Sequence, residues 1–106
     1  MARGWTYIPE HDAWVKTVHF EPVRGWSRRT KLEVAVRRER KGSPIWRVDL
    51  FTMVGFEALT PTEHRSAAAA KREADLVLDA FLRARKAGEE VDVQDVAHAI
   101  RKSRAT

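Results

Sequence analysis

The fold reading turns on one segment: Thr60-Pro61-Thr62-Glu63, then Ala67-Ala68-Ala69-Ala70, then Leu76-Val77-Leu78 and Phe81-Leu82, closing at Gly88. Thr60 is a suitable N-cap, because its hydroxyl can accept from a free N–H of a first helical turn. Pro61 at the first helical position gives up an N–H that would have no partner there. Glu63, three residues after the cap, completes a capping box and sets a negative charge at the positive end of the helix dipole. Gly88 supplies the left-handed residue that ends helices, with Arg85 and Lys86 in the last turn. The segment therefore predicts a helix over about 61–87.

At 100° per residue, Ala69, Ala70, Leu76, Val77, Ala80, Phe81 and Ala84 fall on one side of that helix. Ala74, Leu78 and Leu82 widen the side to more than half the circumference. Only Arg65, Arg72, Asp75, Asp79 and Arg83 make a polar strip. Asp79 and Arg83 stand four apart in the favourable order, so the strip partly neutralises itself. This is the pattern of a core helix, not of a binding face.

Working outward, the preceding chain reads as strands. Trp14, Val18 and Phe20 alternate with Val15, Thr17 and His19, which predicts a strand over about 14–20 ended by Pro22. Leu32, Val34 and Val36 alternate with Lys31, Glu33, Ala35 and Arg37, the cleanest period of two in the chain, for a strand over about 29–39. Arg40-Lys41-Gly42-Ser43-Pro44 is a turn by its glycine and proline. Ile45 to Val54 is the third strand, paired with the second as a hairpin, and Gly55 closes it. Residues 1–12, with Trp5, Tyr7 and Ile8 before Pro9, are an N-terminal arm or an edge strand. Beyond Gly88, Asp92 is a second N-cap with Asp95 at the third helical position. Val93, Val96, Ala97 and Ile100 form one stripe of a short helix over about 93–103. The expectation is one α+β domain over 13–106: a three-stranded antiparallel sheet, the long helix on one face, and a short C-terminal helix.

The chain has 106 residues, which suits one domain with a modest core. It has no cysteine, which excludes disulfides and thiolate metal sites. It has no apolar run of the roughly 20 residues that a membrane span needs and no signal-peptide core, so a cytoplasmic, membrane-free protein is the default. Reactive groups do not converge. His11, His19, His64 and His98 are spaced for no shared face, and His11-Asp12 is the one adjacent pair suited to proton transfer. The single glycines make no phosphate loop. No enzyme, cofactor or metal is expected.

Charge carries the functional reading. The net charge is +5. Between Arg24 and Arg47 nine basic residues face only Glu33 and Glu39, a surplus of seven that leaves the rest of the chain negative. Such a localised field draws polyanions. Arg24, Trp26, Arg28 and Arg29 on the first loop, Lys31 at the start of the second strand, and Arg37, Arg38, Arg40 and Lys41 near the hairpin tip are the candidate nucleic-acid-binding residues. The arginines would fork onto phosphates and Trp26 would stack on a base. The partner expected is nucleic acid, DNA ahead of RNA, with about four to six phosphates neutralised. The competing reading is a protein-interaction module, a phage or accessory protein acting on a host partner or on itself as a homodimer. It rests on four tryptophans in a short chain and on the taste of interfaces for Trp and Arg. There the basic stretch would meet an acidic protein surface.

Overall fold

Antiparallel pairing of neighbours in sequence builds the whole sheet. The computed structural model describes residues 4–20, 31–52, 55–59 and 63–104. Five strands, β1 (Thr6–Ile8), β2 (Ala13–His19), β3 (Lys31–Arg38), β4 (Trp46–Thr52) and β5 (Gly55–Ala58), lie side by side in chain order. Two helices follow, α1 (Ala67–Lys86) and α2 (Val93–Arg104). The class is α+β with an antiparallel sheet, one long helix and one short C-terminal helix, as the sequence led us to expect. The sheet, however, has five strands and not three.

Both additional strands have a physical reason. Tyr7 and Ile8 pair with Trp14 and Ala13, so the ambiguous N-terminal arm is an edge strand. Gly55 does not close a long third strand. Thr52 pairs with Gly55 and Phe51 with Phe56, so the chain doubles back and β5 is a new edge. Residues 53–54 carry none of the Asn-Gly or Asp-Gly signals of a two-residue hairpin, which is why periodicity ran through them.

The start of α1 also differs from expectation. Thr60, Pro61 and Thr62 lie outside the described residues, and Glu63 and His64 are not helical. The His64 backbone is committed to β4 instead: its N–H donates to Trp46 O at 2.9 Å, and its carbonyl accepts from Trp46 N at 2.7 Å. A residue bonded to a strand edge cannot also open a helix. The true cap is Ser66, in extended conformation, whose Oγ accepts from Ala69 N at 3.1 Å. The other end matches the expectation. Gly88 has φ +84°, its N–H donates to Arg85 O at 2.9 Å, and Glu89 N donates to Ala84 O at 3.0 Å. This pair of bonds is the Schellman motif. Asp92 caps α2 through Val93 N at 2.8 Å, and Asp95 reaches back to Asp92 N at 3.2 Å. We expect Ser66→Ala to lower stability by about 1 kcal/mol, read from urea unfolding, with an unchanged denaturant slope.

Register decides which face is covered. Trp14, Val36 and Val48 lie abreast, as do Lys16, Val34 and Leu50, and all belong to the face under α1. The core joins Leu32, Val34, Val36, Val48 and Leu50 to Ala70, Ala74, Val77, Leu78 and Phe81 of α1 and to Val93 and Ala97 of α2. The buried stripe of α1 is thus 70, 74, 77, 78, 81 and 85. Leu76, assigned to the core from the sequence, is exposed on the far side. Ala70 and Ala74, with almost no side chain, let the helix lie close on the sheet.

The N-terminal aromatics stitch the β1 edge to α1. Asp75 accepts from Lys16 Nζ at 2.8 Å and from Trp5 Nε1 at 3.2 Å. Lys71 Nζ stands 3.6 Å from the Trp14 ring centroid. Trp5 and Trp14 pack against the core. Asp75 therefore belongs to this inter-element cluster, where the sequence placed it in a self-neutralising surface strip.

Candidate nucleic-acid interface

The site is at one end of the sheet, where the turn between β1 and β2 meets the hairpin between β3 and β4. Pro9 fixes the first φ of a 3-10 turn over Pro9–His11. Asp12 closes it at φ 46°, the left-handed region that Asp tolerates, and donates its N–H to Pro9 O at 3.2 Å. Because Ala13 is the partner of Arg37 in the β2–β3 register, Asp12 is carried up to Arg38. Across the hairpin, Glu39 N donates to Ile45 O at 2.9 Å and Gly42 takes φ +81°.

Arg38 is held on three sides. Its Nε donates to Asp12 Oδ2 at 2.7 Å and its Nη1 to Ser43 O at 2.8 Å. Its guanidinium lies over Trp46, its partner across the β3–β4 register, at 4.5 Å from the ring centroid. The other carboxylate oxygen of Asp12 accepts from the Tyr7 hydroxyl at 2.7 Å. The chain Tyr7–Asp12–Arg38–Trp46 thus spans β1, the turn, β3 and β4.

This network sets two ionisation equilibria. The hydrogen bond from Tyr7, and after it the one from Arg38, hold the Asp12 carboxyl below the usual carboxylate range. The bond to Asp12, with burial and the Asp12 charge adding and the Arg38 charge opposing, raises the Tyr7 phenol above its ordinary value. A carboxyl depressed on folding stabilises above its unfolded pKa and loses that contribution as pH falls through the folded one. A phenol raised on folding stabilises below its unfolded pKa and loses that contribution as pH rises through the folded one. The network is therefore intact across the neutral range. Both groups are solvent-accessible, so screening keeps their effect on global stability small.

A groove of about 520 Å³ opens beside the network, with residues 9–12 on one wall and 37–41 on the other. Arg37, Arg38, Arg40 and Lys41 line it against Glu10, Asp12 and Glu39. The surplus is one positive charge. Arg40 and Lys41 are exposed and have no ion pair among the described residues. Arg37 and Arg38, adjacent in β3, point to opposite faces of the sheet. Arg37 lies on the face away from α1 in an ion pair with Asp49, whose side chain is only 7% exposed.

The other candidates divide. Lys31 pairs with Glu33 at 3.4 Å, both well exposed. Arg24, Trp26, Arg28 and Arg29 lie outside the described residues. The chain leaves the sheet at Phe20 and returns at Lys31, the end of β3 opposite the hairpin. Eight residues of strand, roughly 25 Å, separate those two ends. Asp12, Tyr7, Ser43 and Trp46 were missed by the sequence reading as parts of the site. His11-Asp12 does not form a proton-transfer pair, since both carboxylate oxygens of Asp12 are engaged by Tyr7 and Arg38.

Among the described residues no cluster of His, Cys, Asp and Glu could hold a metal ion, and no helix is long and apolar enough to cross a membrane. No family model, no curated protein and no solved structure matches the chain.

Proposed function

We propose that this chain is a small nucleic-acid-binding module of modest sequence specificity that holds the phosphate backbone in the groove between the β1–β2 turn and the β3–β4 hairpin. One observation carries the reading: Arg40 and Lys41 line the groove exposed and without an ion pair among the described residues, next to a guanidinium already fixed in place. An ordered guanidinium beside exposed cations suits a phosphate ester, whose oxygens accept charge-assisted hydrogen bonds. Nucleic acid is the abundant phosphodiester polymer, with DNA placed ahead of RNA as the first ligand to try.

The grip is smaller than composition suggested. Arg37 is neutralised by Asp49 and Lys31 by Glu33, so the described residues can neutralise about two or three phosphates and not four to six. The logarithm of the association constant should then fall with the logarithm of salt at a slope of about −2 to −3. Between about 50 and about 200 mM salt, a short labelled duplex followed by anisotropy should lose roughly fifteen- to sixtyfold in affinity. Replacing Arg40 and Lys41 together by alanine should flatten the slope by about two and leave the thermal transition unchanged. Binding that ignores salt, or none at the lower concentration, overturns the reading.

The protein-interaction reading keeps one feature in its favour. The sheet face away from α1 carries Phe51, 48% exposed, beside the mixed charges of Glu33, Lys31, Arg37 and Asp49. Its first motive is weaker, because Trp5 and Trp14 are used in packing.

A further inference from the structure

Resting on that phosphate-binding reading, the geometry points to Asp12 and Tyr7 as positioning residues of the groove: they hold the Arg38 guanidinium over Trp46 so that its remaining nitrogen meets the phosphate. Three of the contacts that a guanidinium can make are already spent inside the protein, on Asp12, on Ser43 O and on the Trp46 ring. The remaining nitrogen, Nη2, makes no hydrogen bond among the described residues, and Arg38 lines the groove. Asp12 is itself fixed, by the left-handed backbone that ends the 3-10 turn and by the Tyr7 hydroxyl on its second oxygen. An arginine free in solvent must surrender rotamer freedom when it binds, which weakens its grip. Here that ordering is done on folding.

The inference makes a prediction opposite in sign to simple charge counting. Removing a carboxylate from the wall of an anion site should tighten binding if the carboxylate only repels. If it positions Arg38, removal should weaken binding, because an exposed charge is well screened and the lost ordering is the larger effect.

The test is anisotropy of a short labelled duplex DNA with the full chain. Tyr7→Phe removes one hydroxyl and no charge, and should weaken binding about threefold. Asp12→Asn should also weaken it, by about threefold or more. Tyr7→Phe introduced into an Arg38→Ala chain should change nothing further, because the hydroxyl acts through Arg38. That last comparison separates positioning from general destabilisation, which would persist without the arginine. Asp12→Asn binding more tightly than wild type, or Tyr7→Phe binding equally well, overturns the inference and leaves the phosphate-binding reading standing. Wild-type protein that does not bind the duplex overturns both.

Discussion

Phe81→Ala is expected to cost about 3–5 kcal/mol of folding stability, the largest loss from any single side chain of α1. Phe81 is 1% exposed and belongs to the core shared by the sheet and both helices. Its ring meets Phe20 edge-on at 5.0 Å between centroids, and the guanidinium of Arg85, one turn on, lies over both rings. Truncation would leave a void that Ala74 and Ala70, already minimal, cannot fill. A domain of this size has roughly 5–15 kcal/mol in all, so the variant should lose a large share of its stability. Urea unfolding followed by tryptophan fluorescence measures it. Leu76→Ala on the same helix should cost less than about 0.5 kcal/mol, since Leu76 faces solvent. The contrast tests the helix rotation directly. Equal losses at the two positions would mean that the stripe read from the sequence, with Leu76 inside, was the right one.

That rotation shows where periodicity stops being informative. A helix with apolar residues over more than half its circumference has no unique buried side, and the direction of the hydrophobic mean is set by a few residues. Here Ala69, Leu76 and Ala80 pulled the sequence reading round, while the sheet chose the side where Ala70 and Ala74 permit close approach. The strands were easier. Residues 31–38 alternate strictly, and their pairing with 46–52 follows from a turn of five polar or turn-forming residues. The helix start was misread for a different reason. Thr60-Pro61-Thr62-Glu63 has every local feature of a cap, but the backbone of His64 completes a bridge to Trp46, and a long-range hydrogen bond outweighs a local preference worth about 1 kcal/mol. Local signals locate a helix well and its first residue badly.

The candidate site was legible only as composition. The run from Arg37 to Lys41 was visible as charge, and four of its cations do line one groove. What the sequence concealed was their state. In a strand, neighbouring residues face opposite ways, so Arg37 and Arg38 were bound to part, and each found an acid that lies far along the chain or in another strand. Asp12 is 26 residues from Arg38, and only the β2–β3 register brings them together. A surplus of positive charge counted along the chain therefore overstated the free charge in space.

Trp46→Ala is expected to damage both halves of the molecule at once, which makes it the most informative substitution in the protein. Trp46 is 8% exposed, belongs to the core, and by its backbone joins β4 to the segment that leads into α1. Removing the indole should cost about 3–5 kcal/mol from the cavity. It also takes away the surface on which the Arg38 guanidinium rests, a cation–π contact worth about 0.5–2 kcal/mol. Trp46→Phe separates the two effects. It refills most of the volume, so stability should recover to within about 2 kcal/mol of wild type. A phenyl ring offers Arg38 a smaller and weaker face than an indole, so duplex binding should stay below wild type even where the protein is fully folded. Thermal melts and anisotropy on the same samples read the two quantities independently. If the phenylalanine variant binds as wild type does while still melting lower, Trp46 is a core residue that Arg38 merely covers. If binding falls with folding intact, the ring is the floor of the phosphate site, and the strand that carries it serves the hydrophobic core and the groove together.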